Sequence, residues 1–284
     1  MVGAYRHSVY VLMKIVVPVK QVPESGNVKM DPVTGTVMRT GIETVVNPLD
    51  LYALEAALLM KERYGGTVTA VTMGPPQAVR VLKEAVAMGC DGAALVSDRK
   101  FGGSDTHATS YTLARAILAV SEAAGGFDMV ITGERAIDGD TAQVGPGIAA
   151  WLDLPLATYV AAVPKVDSAS ARVLVERLVE EGYQSLSVPL PCLISVVKEV
   201  AAPRLPTLGG KIRSMEMEYP VYSCENMSLE ERYLGLKGSP TKVARISSPK
   251  ITRGGRMMTV GDEDSLEAAV DAIVEVLESK GVLP

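Results

Sequence analysis

Residues 133–147 read GERAIDGDTAQVGPG, three acids, four glycines and a proline set directly behind the apolar run FDMVIT. Such a stretch is either a tight turn or a ligand cradle. Gly133 and Gly139 would let backbone approach a ligand closely. If a helix opens at Asp140, then Thr141, Ala142 and Gln143 present first-turn amides suited to a phosphate. Asp140 then reads as an N-cap, with Gln143 closing a capping box. Asp138 is ill suited to face a phosphate; a ribose hydroxyl or the fixing of the loop suits it better. A second helix start, NPLDLYALEAALLMKERYGG, has Asn47 to cap it, Pro48 at the first helical position and Asp50 in the first turn.

Other chemistry is missing. No G-x-G-x-x-G follows the first strand, and there is no Walker-type lysine loop, H-E-x-x-H or cysteine cluster. His7 falls in an N-terminal extension, and His107 reads as a solvated first-turn residue. No catalytic residue and no metal ligand is assigned. The pattern points to binding more than to transformation.

Composition narrows the classes further. At 284 residues with 48% hydrophobic but 5% aromatic residues, the core must be built from Val, Ala, Leu, Ile and Met. A net charge of −5 argues against nucleic acid. Cys90, Cys192 and Cys224 form no paired spacing, which fits small core residues in a reducing compartment. SVYVLMKIVVPV resembles a signal-peptide core only until Lys14 interrupts it, and no run reaches the roughly 20 apolar residues of a membrane span. A cytoplasmic protein without membrane insertion is expected.

The elements that must position these residues alternate. KIVVPVK is a continuous apolar run, as in a strand covered on both faces, and NVKMDPVTGTVMR suggests a hairpin. Then follow the helix at 47–64, strand TVTAVTM, helix PPQAVRVLKEAVAMG, strand GAALVS, helix SDTHATSYTLARAILAVSEAAGG, strand FDMVIT and helix DTAQVGPGIAAWL, with a kink at Pro146. This rhythm predicts an α/β fold with a doubly wound, mostly parallel Rossmann-like sheet. ATYVAAV, ARVLVERLV, YQSLSV and PCLISVV follow with short turns, so the sheet should end in antiparallel strands. SLEERYLGL begins with a capping box of Ser228 and Glu231. SLEAAVDAIVEVLESKG is an amphipathic helix with Leu266, Val270, Ile273 and Leu277 on one face. The expected division is an extension at 1–12, a nucleotide-binding domain at 13–215 and a C-terminal helical arm at 216–284. Ligands of such sheets bind beyond the strand C-termini where strand order reverses, which selects loops 18–25, 45–50, 73–76, 97–107 and 133–145.

VKQVPE, NPLDLYALEAALLMKE, VTMGPPQAVRVLKEAVAMGCD, GERAIDGDTAQVGPGIAAWL and KEVAAPRLPTLGGKIRS, in this order and spacing, resemble the β subunit of electron transfer flavoprotein. The resemblance implies a heterodimer with an α subunit that carries the electron-transferring FAD, and an adenine nucleotide held by the β subunit itself. Carried over, that pocket would use Pro18, Asn47, Pro48, Leu49, Asp50, Met73, Gly74 and the loop Gly133, Asp138, Gly139, Asp140, Thr141, Ala142, Gln143 and Val144. PRLPTLGGK resembles the family's recognition loop, in which Leu208 would dock into a partner dehydrogenase of the acyl-CoA type. The terminal helix resembles the arm that reaches onto the α subunit.

SDRKFGGSDTHATSY departs from the common, AMP-binding pattern and resembles bifurcating members. There the β subunit binds a second FAD, takes a hydride pair from NADH and divides the electrons between two routes, one ending at ferredoxin or flavodoxin. Its two glycines, Arg99, Asp105 and the hydroxyls of Ser104, Thr106 and Thr109 offer room and donors for the larger ligand. Arg99 would stabilise negative charge on reduced flavin, or be a plain surface charge. Three classes stay open: a carrier with AMP as structural ligand, a bifurcating FAD subunit, and a nucleotide-using enzyme of related fold.

Overall fold

The computed structural model describes residues 12–24, 43–122, 124–242 and 255–282. The chain divides into two compact units, residues 1–244 and 245–284. The expected hairpin within 27–39 and most of the expected extension lie outside the described residues.

The first unit runs β1 (Met13–Pro18), β2 (Gln21–Pro23), β3 (Thr44–Val46), α1 (Pro48–Tyr64), β4 (Gly66–Met73), α2 (Val79–Met88), β5 (Gly92–Val96), α3 (Thr106–Glu122), β6 (Met129–Gly133) and α4 (Val144–Trp151). It continues through β7 (Leu156–Asp167), β8 (Arg172–Val179), β9 (Gly182–Pro189), β10 (Cys192–Val196), α5 (Leu208–Glu216), β11 (Val221–Tyr222) and α6 (Gly235–Gly238). One nine-stranded sheet has the order β11-β5-β4-β1-β6-β10-β7-β8-β9. Every pairing from β11 to β7 is parallel, and only β7–β8 and β8–β9 are antiparallel.

The alternation of side chains along each strand builds two cores. Ile15 and Val17 of β1, Ile131 of β6 and Ile194 of β10 face α1 and α2. Val16, Val130 and Leu193, one residue out of phase, pack with Ile117 of α3 and Ile148 of α4. Strands buried on both faces read as unbroken apolar runs, which is why the central sheet is visible in the sequence.

The late strands depart from expectation in one respect. β10 does not extend the antiparallel meander; it inserts in parallel between β6 and β7. All five of its residues are buried, whereas β9 is largely exposed. Its side chains belong in the centre of the sheet. The stretch at 228–236 is likewise no capped helix: a single turn at Glu231–Tyr233 precedes the short α6. Residues 216–242, grouped with the arm in the sequence reading, lie in the first unit, where β11 pairs with β5.

The second unit contains α7 (Glu263–Ser279), opened by Asp262 and Ser265 in a reciprocal capping box. Leu266, Val270 and Ile273 recur at helical spacing and are exposed. Among the described residues no helix is long and apolar enough to cross a membrane.

Candidate functional site

Strand order reverses at β1, because the chain adds β4 and β5 on one side and β6 and β10 on the other. The loops leaving β1 and β6 therefore diverge above adjacent strands and open a crevice. A cavity of about 590 Å³ fills it. One wall is the loop after β5 and the start of α3, from Asp98 to Thr109; the other is the loop from Gly133 to Gly145. Pro18, Met73 and Gly74 lie between them.

Most of the sequence-selected residues share this cavity: Pro18, Asp50, Met73 and Gly74; Arg99, Gly102, Gly103, Ser104, Asp105, Thr106 and Thr109; and Gly133, Gly139, Asp140, Thr141, Ala142, Gln143 and Val144. Asn47, Pro48, Leu49 and Asp138 do not line it. They support it from behind or hold its edge.

Asn47 makes no side-chain cap on α1. It is fully buried; its amide group donates to Arg135 O at 2.9 Å and its Oδ1 accepts from Ile137 N at 3.1 Å. Its own N–H donates to Lys20 O at 2.8 Å. One asparagine thus ties the loops after β1 and β6 to the start of α1. Gly133 closes the same junction, for a Cβ there would lie 2.6 Å from Asp50 Oδ1 and 2.7 Å from Leu49 O. Asp50 accepts from Lys20 N at 2.8 Å. Burial pushes its carboxyl up to about 7, against the opposing pull of the Lys20 amide and the Asn47 side chain.

The expected helix start at Asp140 is corrected. α4 begins at Val144, with Gln143 preceding it. Asp140 and Ala142 have φ of 51° and 54°, left-handed values that a right-handed helix excludes. Asp140 instead pairs with Arg135 Nε at 3.0 Å, and Gln143 Oε1 accepts from the Thr106 hydroxyl at 2.9 Å. Thr141 and Ala142 are therefore loop, not first-turn, residues. Pro146 falls in the first turn of α4, where its missing N–H costs nothing. Asp138 fixes the loop: it binds Lys20 Nζ at 2.7 Å.

Asp105 is occupied by its own protein. Its Oδ1 accepts from the amides of His107 and Ala108, and its Oδ2 from the amide and hydroxyl of Thr241. Burial works against ionisation here, but these hydrogen bonds prevail and hold the carboxyl below its usual range. His107 is exposed, as the sequence suggests, with Trp151 5.3 Å away. Cys90 and Cys192 are buried free thiols pushed up to about 12 by burial, which leaves them unreactive.

Lys20, Arg135 and Thr132 escaped the sequence reading. Lys20 and Arg135 line the cavity, each neutralised by an acid of the 134–140 loop. Arg99 is exposed on the opposite wall and has no carboxylate partner among the described residues. Thr132 lines the cavity as well, and its hydroxyl is buried without a partner among the described residues. Its position as the penultimate residue of a strand ending at the crevice is the signal that could have found it. An orphaned hydroxyl, one unneutralised cation and apolar walls from Val19, Pro75, Phe101 and Leu113 make a site with the size and donor set of a nucleotide cofactor. A sheet of this order places its cavity at the reversal point, beyond the strand C-termini, where open α/β sheets hold ligands.

The chain matches the electron transfer flavoprotein domain over residues 34–219. It belongs to the electron transfer flavoprotein family. The electron transfer flavoprotein subunit beta of Thermoanaerobacterium thermosaccharolyticum is 42% identical over 272 residues, covering 95% of this chain and all of the relative. The caffeyl-CoA reductase-Etf complex subunit CarD of Acetobacterium woodii is 43% identical over 272 residues, again 95% and 100% of the two chains. Protein FixA of Azorhizobium caulinodans is 46% identical over 238 residues, covering 84% and 85%. Within this family the chain is of the β-subunit type and serves electron transfer.

Leu208 lies away from the cavity, on α5. It is 76% exposed, and Ile212 and Met215 follow it at helical spacing as further exposed apolar residues, with Leu205 exposed before the helix. The segment before it is clamped: Arg204 makes a bidentate pair with the buried Glu55 and a second with Glu62.

Proposed function

We propose that the chain is the β subunit of a heterodimeric electron transfer flavoprotein of the bifurcating type, with FAD in the cavity and NADH as electron donor. The carrying observation is the extent of the cavity. The space is bounded on one side by the 133–145 loop and continues across to Arg99, Thr106 and Thr109 on the other. FAD has more than twice as many non-hydrogen atoms as AMP and would use both walls. The 43% identity to a subunit named for a caffeyl-CoA reductase complex supports the same reading.

In this reading Thr132, the 139–144 backbone and Gln143 hold the adenylate portion, and the wall from Arg99 to Thr109 orients the flavin. Asn47, Pro48, Leu49 and Asp50 keep the loops in register. When bound, the flavin supplies hydride acceptance from NADH, and the protein tunes its potential and excludes water. Arg99, exposed on this wall, favours extra negative charge near the flavin by Coulomb attraction. The exposed face of α7 docks on an α subunit. Leu208, with these exposed apolar neighbours, docks on a dehydrogenase of the acyl-CoA type, and ferredoxin or flavodoxin takes the low-potential electron. Three free thiols suit a cytoplasmic setting.

The test is a count of nucleotides released from the purified heterodimer, followed by anaerobic titration with NADH. Two FAD per heterodimer, with flavin bleached by NADH, is the expected outcome. One FAD with one AMP, and no bleaching, would leave an AMP-binding carrier in its place.

A further inference from the structure

The wall of the cavity formed by residues 98–105 does not stand by itself. It carries two glycines, Gly102 and Gly103, and its outer side is covered by residues 231–241, which come from more than a hundred positions later in the chain. Leu236 N donates to Gly102 O at 3.2 Å, and Lys100 pairs with Glu231. Gly235, at φ 53°, approaches so closely that a Cβ would lie 2.1 Å from Lys100 O. Asp105 N donates to Ser239 Oγ at 2.8 Å, and Asp105 Oδ2 accepts from Thr241 N and Oγ1 at 2.9 and 2.8 Å.

Asp105 thus joins three things: the cap of α3, the cavity wall and the later chain. Its Oδ1 satisfies amides of α3 and its Oδ2 is spent on Thr241. Both oxygens are engaged on the protein, so its effect on a ligand is exerted through the position of the wall. A charged acceptor shared by an amide and a hydroxyl is a strong fastening.

We propose that residues 231–241 are a strap that fixes the 98–105 wall, and that Asp105 is a positioning residue through which this strap sets the cavity's preference for a dinucleotide over a mononucleotide. The inference rests on the reading that FAD extends onto this wall while an adenylate alone stays on the opposite one. Loosening the strap therefore weakens the hold on FAD and leaves the hold on AMP in place.

The experiment uses the full chain stripped of nucleotide, titrated with FAD by fluorescence and with AMP by calorimetry. Asp105→Asn keeps an oxygen for the His107 and Ala108 amides but turns an NH2 group toward the Thr241 backbone amide, where donor meets donor, and leaves only the Thr241 hydroxyl able to accept. Thr241→Val removes only the hydroxyl. Asp105→Asn should raise the Kd for FAD about tenfold and Thr241→Val about threefold, with the Kd for AMP moving less than about twofold in both. The ratio of the two constants is the readout, because general destabilisation would move both ligands together. A ratio unchanged in both variants, or equal losses for FAD and AMP, would overturn the strap and leave the FAD reading intact. A wild-type chain that takes AMP and refuses FAD would overturn the FAD reading and the strap's role with it.

Discussion

Asp50 should make the stability of this protein fall as pH rises from about 4 to about 7, and Asp50→Asn should remove that component. Unfolded, the carboxyl titrates at its ordinary 3.8; folded, burial holds its proton until about 7. Across that window the folded state binds one more proton than the unfolded state, so stability declines with increasing pH. Holding the carboxyl at about 7 corresponds to about 4 kcal/mol in total, and about 3 kcal/mol of this is lost between about pH 4.5 and 7.5. The amide variant also weakens the bond from Lys20 N, but that loss is independent of pH and cancels from the slope. Urea unfolding of both proteins at several pH values gives the difference in stability directly. Wild type should lose about 3 kcal/mol relative to the variant across the range. Two stabilities running parallel within about 1 kcal/mol would refute the argument, showing that Asp50 is ionised throughout and that the junction of Lys20, Asn47 and Gly133 solvates its charge.

Three further outcomes are expected. A Cβ at Gly139 meets no atom of the described residues within 4 Å, so Gly139→Val should fold normally, yet place a branched side chain where a ligand approaches; unchanged nucleotide occupancy would make the loop a mere turn. Deletion of residues 262–284 should abolish copurification with an α subunit, because it removes the exposed face of α7, and a stable stoichiometric heterodimer of the truncated chain would end the arm assignment. Arg204→Met should cost about 3 kcal/mol in urea unfolding, since it strands the buried Glu55 carboxylate; a loss under about 1 kcal/mol would mean that Glu55 finds water or another partner.

The legible part of the fold is the part whose burial is symmetric. β1, β6 and β10 are buried on both faces, and runs such as KIVVPV and CLISV announce this directly. The same rule separates β10 from β9, whose residues alternate with polar ones, so its central position was readable. Proximity in sequence obscured it, because short connections argue for antiparallel neighbours while the composition argues for the middle of the sheet. Composition wins, since each apolar side chain left at an edge forfeits burial on one face.

The site was legible as a set of loops and illegible in its wiring. Topology alone brings the C-terminal ends of β1, β4, β5 and β6 together, so any reading that finds the strands finds the cavity. Asn47, Asp105 and Asp140 each carry the local signal of a helix cap, but their fates were decided by distant partners. Asn47 serves Arg135 and Ile137, about 90 positions away in sequence. Asp140 yields its capping role to a pair with Arg135 and a left-handed backbone. Asp105 does cap α3, and a local reading stops there, with no means of seeing that its second oxygen holds Thr241. A carboxylate has two oxygens and a helix start occupies one. For Asp105 the role beyond the cap is decided by where the second oxygen goes, and the tertiary fold that brings Thr241 to it leaves no local pattern in the sequence.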